Sequence, residues 1–356
     1  MRIGFFISSL GGSPLIGGLE RGFAGLGHMV EPYRRGQGYD LVIVGQQVAH
    51  NPAYEFPACF PSEGIPIAFV DSSEAGYFTR LPDRAREFAF SFTPTVMHQS
   101  TKNYHEQVRL KSFLEGRSYP YFLREMSKYV KYPPMFHAID YPLYHLSACD
   151  MRPDREEYLR RDLDLFSAWG ESHPFRVYLG QAMRDTHVRS EITVIDRGKI
   201  VSKDPDTGMC YDAEGQVCFI EQAAYFNRMR AAKCSVSYDG YGSSSFRLHE
   251  IMVRTVPVVG PLSIVMREPL IEGVHCRYYD VDHYGEVYNG TNLAQVIRDV
   301  VENPEGSFEL YRAAYDHCMQ YWTERATAEY LIRVVEEHDY SKPTSLDWLE
   351  RSECRT

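Results

Sequence analysis

The chain lacks any Cys-x-x-Cys pair and any Cys/His cluster at zinc-ligand spacing, although it has 8 cysteines, at positions 59, 149, 210, 218, 234, 276, 318 and 354. That excludes zinc ribbons and fingers, and it reads the thiols as reduced, mostly buried groups of a cytoplasmic protein. It lacks a run of 18 apolar residues, so nothing reads as a membrane span. The N-terminal run Ile3-Gly4-Phe5-Phe6-Ile7 is too short for a signal segment and reads as a first strand. Basic charge is also scarce: 38 Lys and Arg against 48 Asp and Glu leave a net charge of −10. That balance excludes a protein that coats nucleic acid or anionic membrane through its overall charge. Repeats and low-complexity segments are absent. Asn289-Gly290-Thr291 has the form of a glycosylation site, but in a cytoplasmic chain Asn-Gly reads as a turn.

What the chain does have is an alternation of short apolar runs with helical spacing. Its 356 residues, at about 150 per domain, make two domains. A composition of 44% hydrophobic and 24% charged residues is that of an ordinary globular protein. Residues 3–8 predict a strand, Gly11-Gly12-Ser13-Pro14 a loop, and residues 15–26 a helix closed by Gly27. A second strand enters at Met29. Leu41-Val42-Ile43-Val44 and residues 65–70 predict two more, the latter ending at Asp71. This is the pattern of an α/β fold with a doubly wound parallel sheet. A second such unit starts near Leu163, with a strand over 164–170, a helix over 175–184 and a strand over 191–195. Residues 199–215 are polar and predict an exposed hairpin or loop. Past Thr291 the chain is helical, and Tyr311, Tyr315, Met319 and Trp322 form a stripe that reads as core packing.

The densest chemistry lies in Tyr238-Asp239-Gly240-Tyr241-Gly242-Ser243-Ser244-Ser245-Phe246-Arg247-Leu248-His249-Glu250. Glycines that let backbone approach a ligand run into a helix start, whose amide end favours an anion. Arg247 and Glu250 sit three apart on one helical face: a guanidinium suits a diphosphate and a carboxylate suits the two hydroxyls of a ribose. The competing reading is a capped helix with a surface ion pair. The β-branched run Thr255-Val256-Pro257-Val258-Val259-Gly260 then predicts a buried parallel strand.

This strand, loop, helix and strand resemble the nucleotide-sugar-binding half of GT-B fold glycosyltransferases, and the Gly-Tyr-Gly-x-x-Ser-Phe-Arg-x-x-Glu spacing is similar to that of exostosin-type members. Leu26-Gly27-His28-Met29-Val30 resembles the close of their first unit. The resemblance implies two Rossmann-like domains facing a cleft: an acceptor-side domain over 1–145, a donor domain over 146–326, and a helical tail over 327–356 packing back on the first domain. It also implies a nucleotide sugar, taken as a UDP-sugar, as co-substrate. Glu250 would hold the ribose, with Gly240, Tyr241, Gly242, Ser243, Ser244 and Ser245 facing the pyrophosphate. Retaining members carry two glutamates eight positions apart, but the residue eight before Glu250 is Gly242. The glutamate pair of the retaining members is therefore not matched here, and the spacing does not choose between retention and inversion.

Sugar transfer further requires compensation of the leaving diphosphate's charge and, for inversion, a base. Arg247 and Arg176 are the candidates for the first. Asp71 is the candidate for the second, at a strand end facing the expected cleft, with His50, His98 and His137 as alternatives. Gly12, Ser13 and Arg124 are assigned to the acceptor side. The Asp-x-Asp triplets at 162–164, 204–206 and 280–282 are discounted as metal ligands, and no metal or further cofactor is expected. Between 102 and 132 stand seven Lys or Arg against three Glu, interleaved with Tyr119, Tyr121, Phe122, Tyr129 and Tyr132. That mixture suggests an anionic acceptor: DNA carrying a hydroxylated base, with a saccharide and a small molecule as its rivals. A sugar-nucleotide epimerase of the same fold and a non-catalytic nucleotide-sugar-binding protein are the alternatives.

Overall fold

Strands buried on both faces are written as unbroken apolar runs, and such runs build two parallel sheets. A computed structural model describes residues 1–6, 14–45, 64–71, 118–124, 126, 134–143, 152–170, 174–195, 199–206, 208–237, 246–260, 265–284 and 287–342. The first sheet contains β1 (Arg2–Phe6), β2 (Met29–Pro32), β3 (Leu41–Gly45), β4 (Ile67–Asp71), β5 (Tyr121–Leu123) and β6 (Phe136–Ala138). Its order is β2-β1-β3-β4-β5-β6, with every pair parallel. Helix α1 (Pro14–Gly25) follows β1, and Gly27 beyond it has φ 80°, the left-handed conformation a helix end uses to close.

Two expectations change here. From sequence, Pro120, Pro133, Pro134 and Pro142 break regular structure and make part of this stretch loop or short helix, yet β5 begins directly after Pro120 and β6 shortly after Pro134. Proline is tolerated at a strand start because its missing N–H is not needed there. Tyr121 and Phe122, counted above with an aromatic binding face, are completely buried core residues of β5. The remaining basic and aromatic residues of that stretch, apart from Tyr119 and Arg124, lie outside the described residues.

The second half opens with α2 (Arg155–Leu159), β7 (Leu163–Gly170), α3 (Pro174–Arg184) and β8 (Ser190–Ile195). Next come β9 (Ser202–Lys203), β10 (Met209–Tyr211) and β11 (Val217–Ile220), a small antiparallel sheet that occupies the stretch expected to be a hairpin or loop. Then follow α4 (Gln222–Ala231), β12 (Ala232–Ser237), α5 (Phe246–Met252), β13 (Val256–Val259) and β14 (Arg277–Tyr278). The parallel sheet runs β14-β13-β12-β7-β8. A hairpin of β15 (Val281–Tyr284) and β16 (Val287–Thr291) contains Asn289-Gly290-Thr291, which is strand and not turn: Gly290 lies opposite Asp282 beside a register shift.

The chain closes with α6 (Leu293–Glu302), α7 (Pro304–Tyr321) and α8 (Glu324–Glu337). Tyr311 and Trp322 are buried, with Tyr315 and Met319 packed beside Trp322. Helix α8 returns to the first sheet, where Ala328, Leu331 and Val335 join the core of β1, β3, β4 and α1. Arg21 donates to Glu324 (2.8 Å) and the Tyr330 hydroxyl to the Ala138 carbonyl (3.1 Å). Among the described residues, no helix is long and apolar enough to cross a membrane.

Candidate functional site

Strand order locates the site. In the second sheet the chain passes from β7 to β8 on one side, then returns to place β12 on the other side of β7. Between β7 and β12 the winding reverses, and the carboxyl ends of strands at such a reversal are where open α/β sheets take ligands. The segment after β12 is residues 238–245, which leads straight into α5. In the first sheet the reversal lies between β1 and β3, and residues 7–13, with Gly12 and Ser13, connect β1 to α1.

The glycine- and serine-rich segment therefore follows a strand at the switch point, and the helix after it spans Phe246–Met252, as the sequence predicts. Gly240, Tyr241, Gly242, Ser243, Ser244 and Ser245 lie outside the described residues. Arg247, in the first turn of α5, is partly exposed. Glu250, one turn later, is only 4% exposed. A carboxylate so enclosed needs polar company, because burying an unpartnered charge is costly. Arg176 sits in the first turn of α3, the helix after β7, but its side chain lies outside the described residues, as does that of Asp71 at the carboxyl end of β4. Gly12, Ser13, His50 and His98 are likewise outside. Arg124 is buried, with its guanidinium 4.5 Å from the centre of the Tyr141 ring and donating to the Tyr141 hydroxyl.

Several residues around the motif escape a reading by spacing alone. Arg254, completely buried, donates from Nη1 to the Glu250 carbonyl (2.9 Å) and lies 3.7 Å from the Phe226 ring centre. Arg161 donates to the carbonyls of Ala232 and Arg254, both at 2.9 Å, and so ties the starts of β12 and β13 together. The i, i+4 spacing of Glu250 and Arg254 was the available signal. His249 is buried against Trp322, ring centres 4.5 Å apart.

Two of the three Asp-x-Asp triplets have local side-chain partners. Asp162 pairs with Arg189 (3.1 Å) and Asp164 with Lys233 (2.7 Å). Asp204 accepts from the Asp206 amide (2.9 Å). Asp280 and Asp282 are exposed. Among the described residues no three His, Cys, Asp or Glu side chains are grouped to hold a metal ion. Cys210, Cys218, Cys234, Cys276 and Cys318 are buried thiols.

No protein-family model matches the chain, and no curated protein matches it in sequence. Solved structures do match in shape. Anabaena HepE in complex with UDP-glucose has 13% identity and a TM-score of 0.55, over 94% of this chain and 99% of that one. WaaG, described as a glycosyltransferase involved in lipopolysaccharide biosynthesis, has 11% identity and a TM-score of 0.50, over 95% and 100%.

The chain has the GT-B fold. The exostosin-type spacing stands on sequence alone. In GT-B terms the two sheets are the two Rossmann-like lobes. Where residues 139–143 and the α7–α8 kink run between these lobes, titratable groups are densely packed. Burial lowers His137 to about 4, with His338 nearby adding to the effect. Burial, with the charge of Arg267, lowers His249 to about 3. His317 falls to about 4 through burial and His275. None of the three is protonated near neutrality, and His137, one alternative base, is a weak one.

A pH prediction follows from the sign of these shifts. Unfolded, the three imidazoles titrate near 6.5, so between about 4 and 6.5 the unfolded chain binds more protons than the folded one. Their contribution is complete above 6.5 and drains as pH falls toward 4. Asp140, raised by burial, works in the opposite direction, but three imidazoles outweigh one carboxyl. The urea midpoint is expected to decline steadily from pH 6.5 to 4.5, and less steeply in His317→Gln. A flat profile would contradict these environments.

Proposed function

We propose that the chain is a glycosyltransferase that moves a sugar from a UDP-sugar to a hydroxyl acceptor. The observation that carries this reading is the β12–α5–β13 unit at the switch point of a GT-B lobe, with Glu250 enclosed on its helix. HepE, of the same fold, binds UDP-glucose. In this reading residues 146–326 take the donor, residues 1–145 present the acceptor, and residues 327–356 hold the lobes together. Glu250 accepts from the ribose hydroxyls, and Gly240, Tyr241, Gly242, Ser243, Ser244 and Ser245 surround the pyrophosphate.

The reaction forms a bond from the acceptor oxygen to the anomeric carbon as the carbon–oxygen bond to the diphosphate breaks. The electron pair leaves on the diphosphate, where Arg247, Arg176 and backbone N–H groups meet the added charge without a metal ion. Asp71 takes the acceptor proton in an inverting transfer. Gly12 and Ser13 border the acceptor, and Arg124 acts there by holding Tyr141. The acceptor is a saccharide or another hydroxyl compound. The case for DNA weakens because Tyr121 and Phe122 are core residues.

A thermal-shift panel of nucleotides and nucleotide sugars tests the reading. UDP and UDP-glucose are expected to raise the melting temperature, since ligand at a hundred times its Kd adds about 2.7 kcal/mol. A panel in which no nucleotide moves the transition would end the proposal.

A further inference from the structure

Every described chain segment that runs between the two sheets converges on His249, the residue next to Glu250. Residues 139–143 leave β6 toward the second lobe, and His249 hydrogen-bonds to the backbone of Tyr141. The return crossing is the kink between α7 and α8, where Trp322 stacks on His249. Cys318, a turn earlier on α7, directs its thiol to the His249 carbonyl at 4.0 Å. The two crossings are joined to each other by the Leu143 amide, which donates to the Trp322 carbonyl (2.6 Å). Asp140 fastens this junction. A single carboxylate oxygen of this buried residue accepts from the Trp322 indole N–H (3.2 Å) and from the Arg267 amide (3.1 Å). The Arg267 guanidinium lies 4.7 Å from the Tyr330 ring centre of α8, so the third loop at the junction is held from the same side.

We propose that Asp140 is a positioning residue for the donor site: it fixes the Trp322 ring, the ring fixes His249, and His249 sets the helical turn that carries Glu250. The physical reason is that α5 is only 7 residues long. A helix so short does not hold its own shape in water and takes its orientation from what it packs against. Its buried face rests on the junction through His249, Met252 and Leu248, which share a core with Trp322, Leu143 and Cys318. Lobe movement at the crossings is thereby linked to the geometry of the ribose carboxylate.

The nucleotide part of this proposal rests on the donor-site reading above, so the experiment has two independent readouts. Hydrogen exchange of the intact chain without nucleotide is compared for wild type, Asp140→Ala, Asp140→Asn and Trp322→Phe. Asp140→Ala and Trp322→Phe are expected to speed exchange of the 246–252 amides by roughly tenfold, the effect of losing one net hydrogen bond, while β7 and β8 stay as they are. Asp140→Asn is expected to restore wild-type exchange, because both N–H donors go to one oxygen and the amide keeps a carbonyl. UDP affinity by titration calorimetry should fall by roughly tenfold in the same two variants. In an Asp140→Ala/Glu250→Ala double variant, the Asp140 effect on affinity should vanish, whereas a merely structural loss would add. Unchanged α5 exchange in Asp140→Ala, loosening spread evenly over the second lobe, or additive affinity losses would each overturn the proposal. Wild-type chain that ignores UDP while Asp140→Ala still loosens α5 would overturn the donor reading and support the coupling.

Discussion

Alanine at Glu250 is expected to abolish the rise in melting temperature produced by UDP. In the proposed site the carboxylate accepts from two ribose hydroxyls, and each hydrogen bond to a charged group contributes about 1.5–3 kcal/mol. Losing both weakens UDP by roughly a hundredfold or more, enough to remove a shift measured at a fixed nucleotide concentration. Glu250→Gln keeps one acceptor oxygen in the same place and should lose about tenfold. The substitution keeps the Glu250 backbone carbonyl that accepts from Arg254 Nη1 at 2.9 Å. Melting of each variant without nucleotide separates loss of binding from loss of structure. Calorimetry well below the transition checks the affinity directly. If Glu250→Ala keeps its full UDP shift, the nucleotide is held elsewhere and the roles of residues 240–250 fall together.

That prediction was legible from sequence because its signals are local. A glycine loop, a helix of good formers and a β-branched run follow one another within residues 238–260, and α5 falls where the spacing puts it. The two sheets were legible for the same reason, as unbroken apolar runs at Leu41–Gly45 or Val256–Val259 can only be strands buried on both faces. Strands β5 and β6 were not. Each has three residues, follows a proline closely, and is held by neighbours far away in the chain, so no window of local sequence contains its stabilisation. The Asn289-Gly290 pair misled in the opposite sense, since turn propensity gave way to pairing with β15. The junction beside the site was invisible for a geometric reason. Trp322 was recognised as core, but the partner of its indole N–H, Asp140, stands 182 positions away.

A second large effect is expected at Gly22, where an alanine should destabilise the protein by about 3 kcal/mol, at the upper end for overpacking. A Cβ there would lie 2.2 Å from the Glu324 carbonyl oxygen, 2.7 Å from its carbon and 2.9 Å from the Ala328 Cβ. Two of those atoms are backbone of α8 and cannot swing aside, so the methyl separates α1 from α8. Gly18, one turn earlier, meets Pro142 in the same way, at 2.3 Å from its Cγ. One face of α1 is thus a glycine groove that receives both the outgoing crossing and the returning helix, and the lobes are joined across it. Gly25 is the internal control. It lies at the end of the same helix with nothing within 4 Å, so Gly25→Ala should be neutral or gain up to about 1 kcal/mol from helix propensity. Urea unfolding of the two variants compares one chemical change at two sites on one helix. Opposite signs would place α8 in the groove through Ala328, Leu331 and Val335, whereas equal stabilities would mean that α8 does not rest on α1.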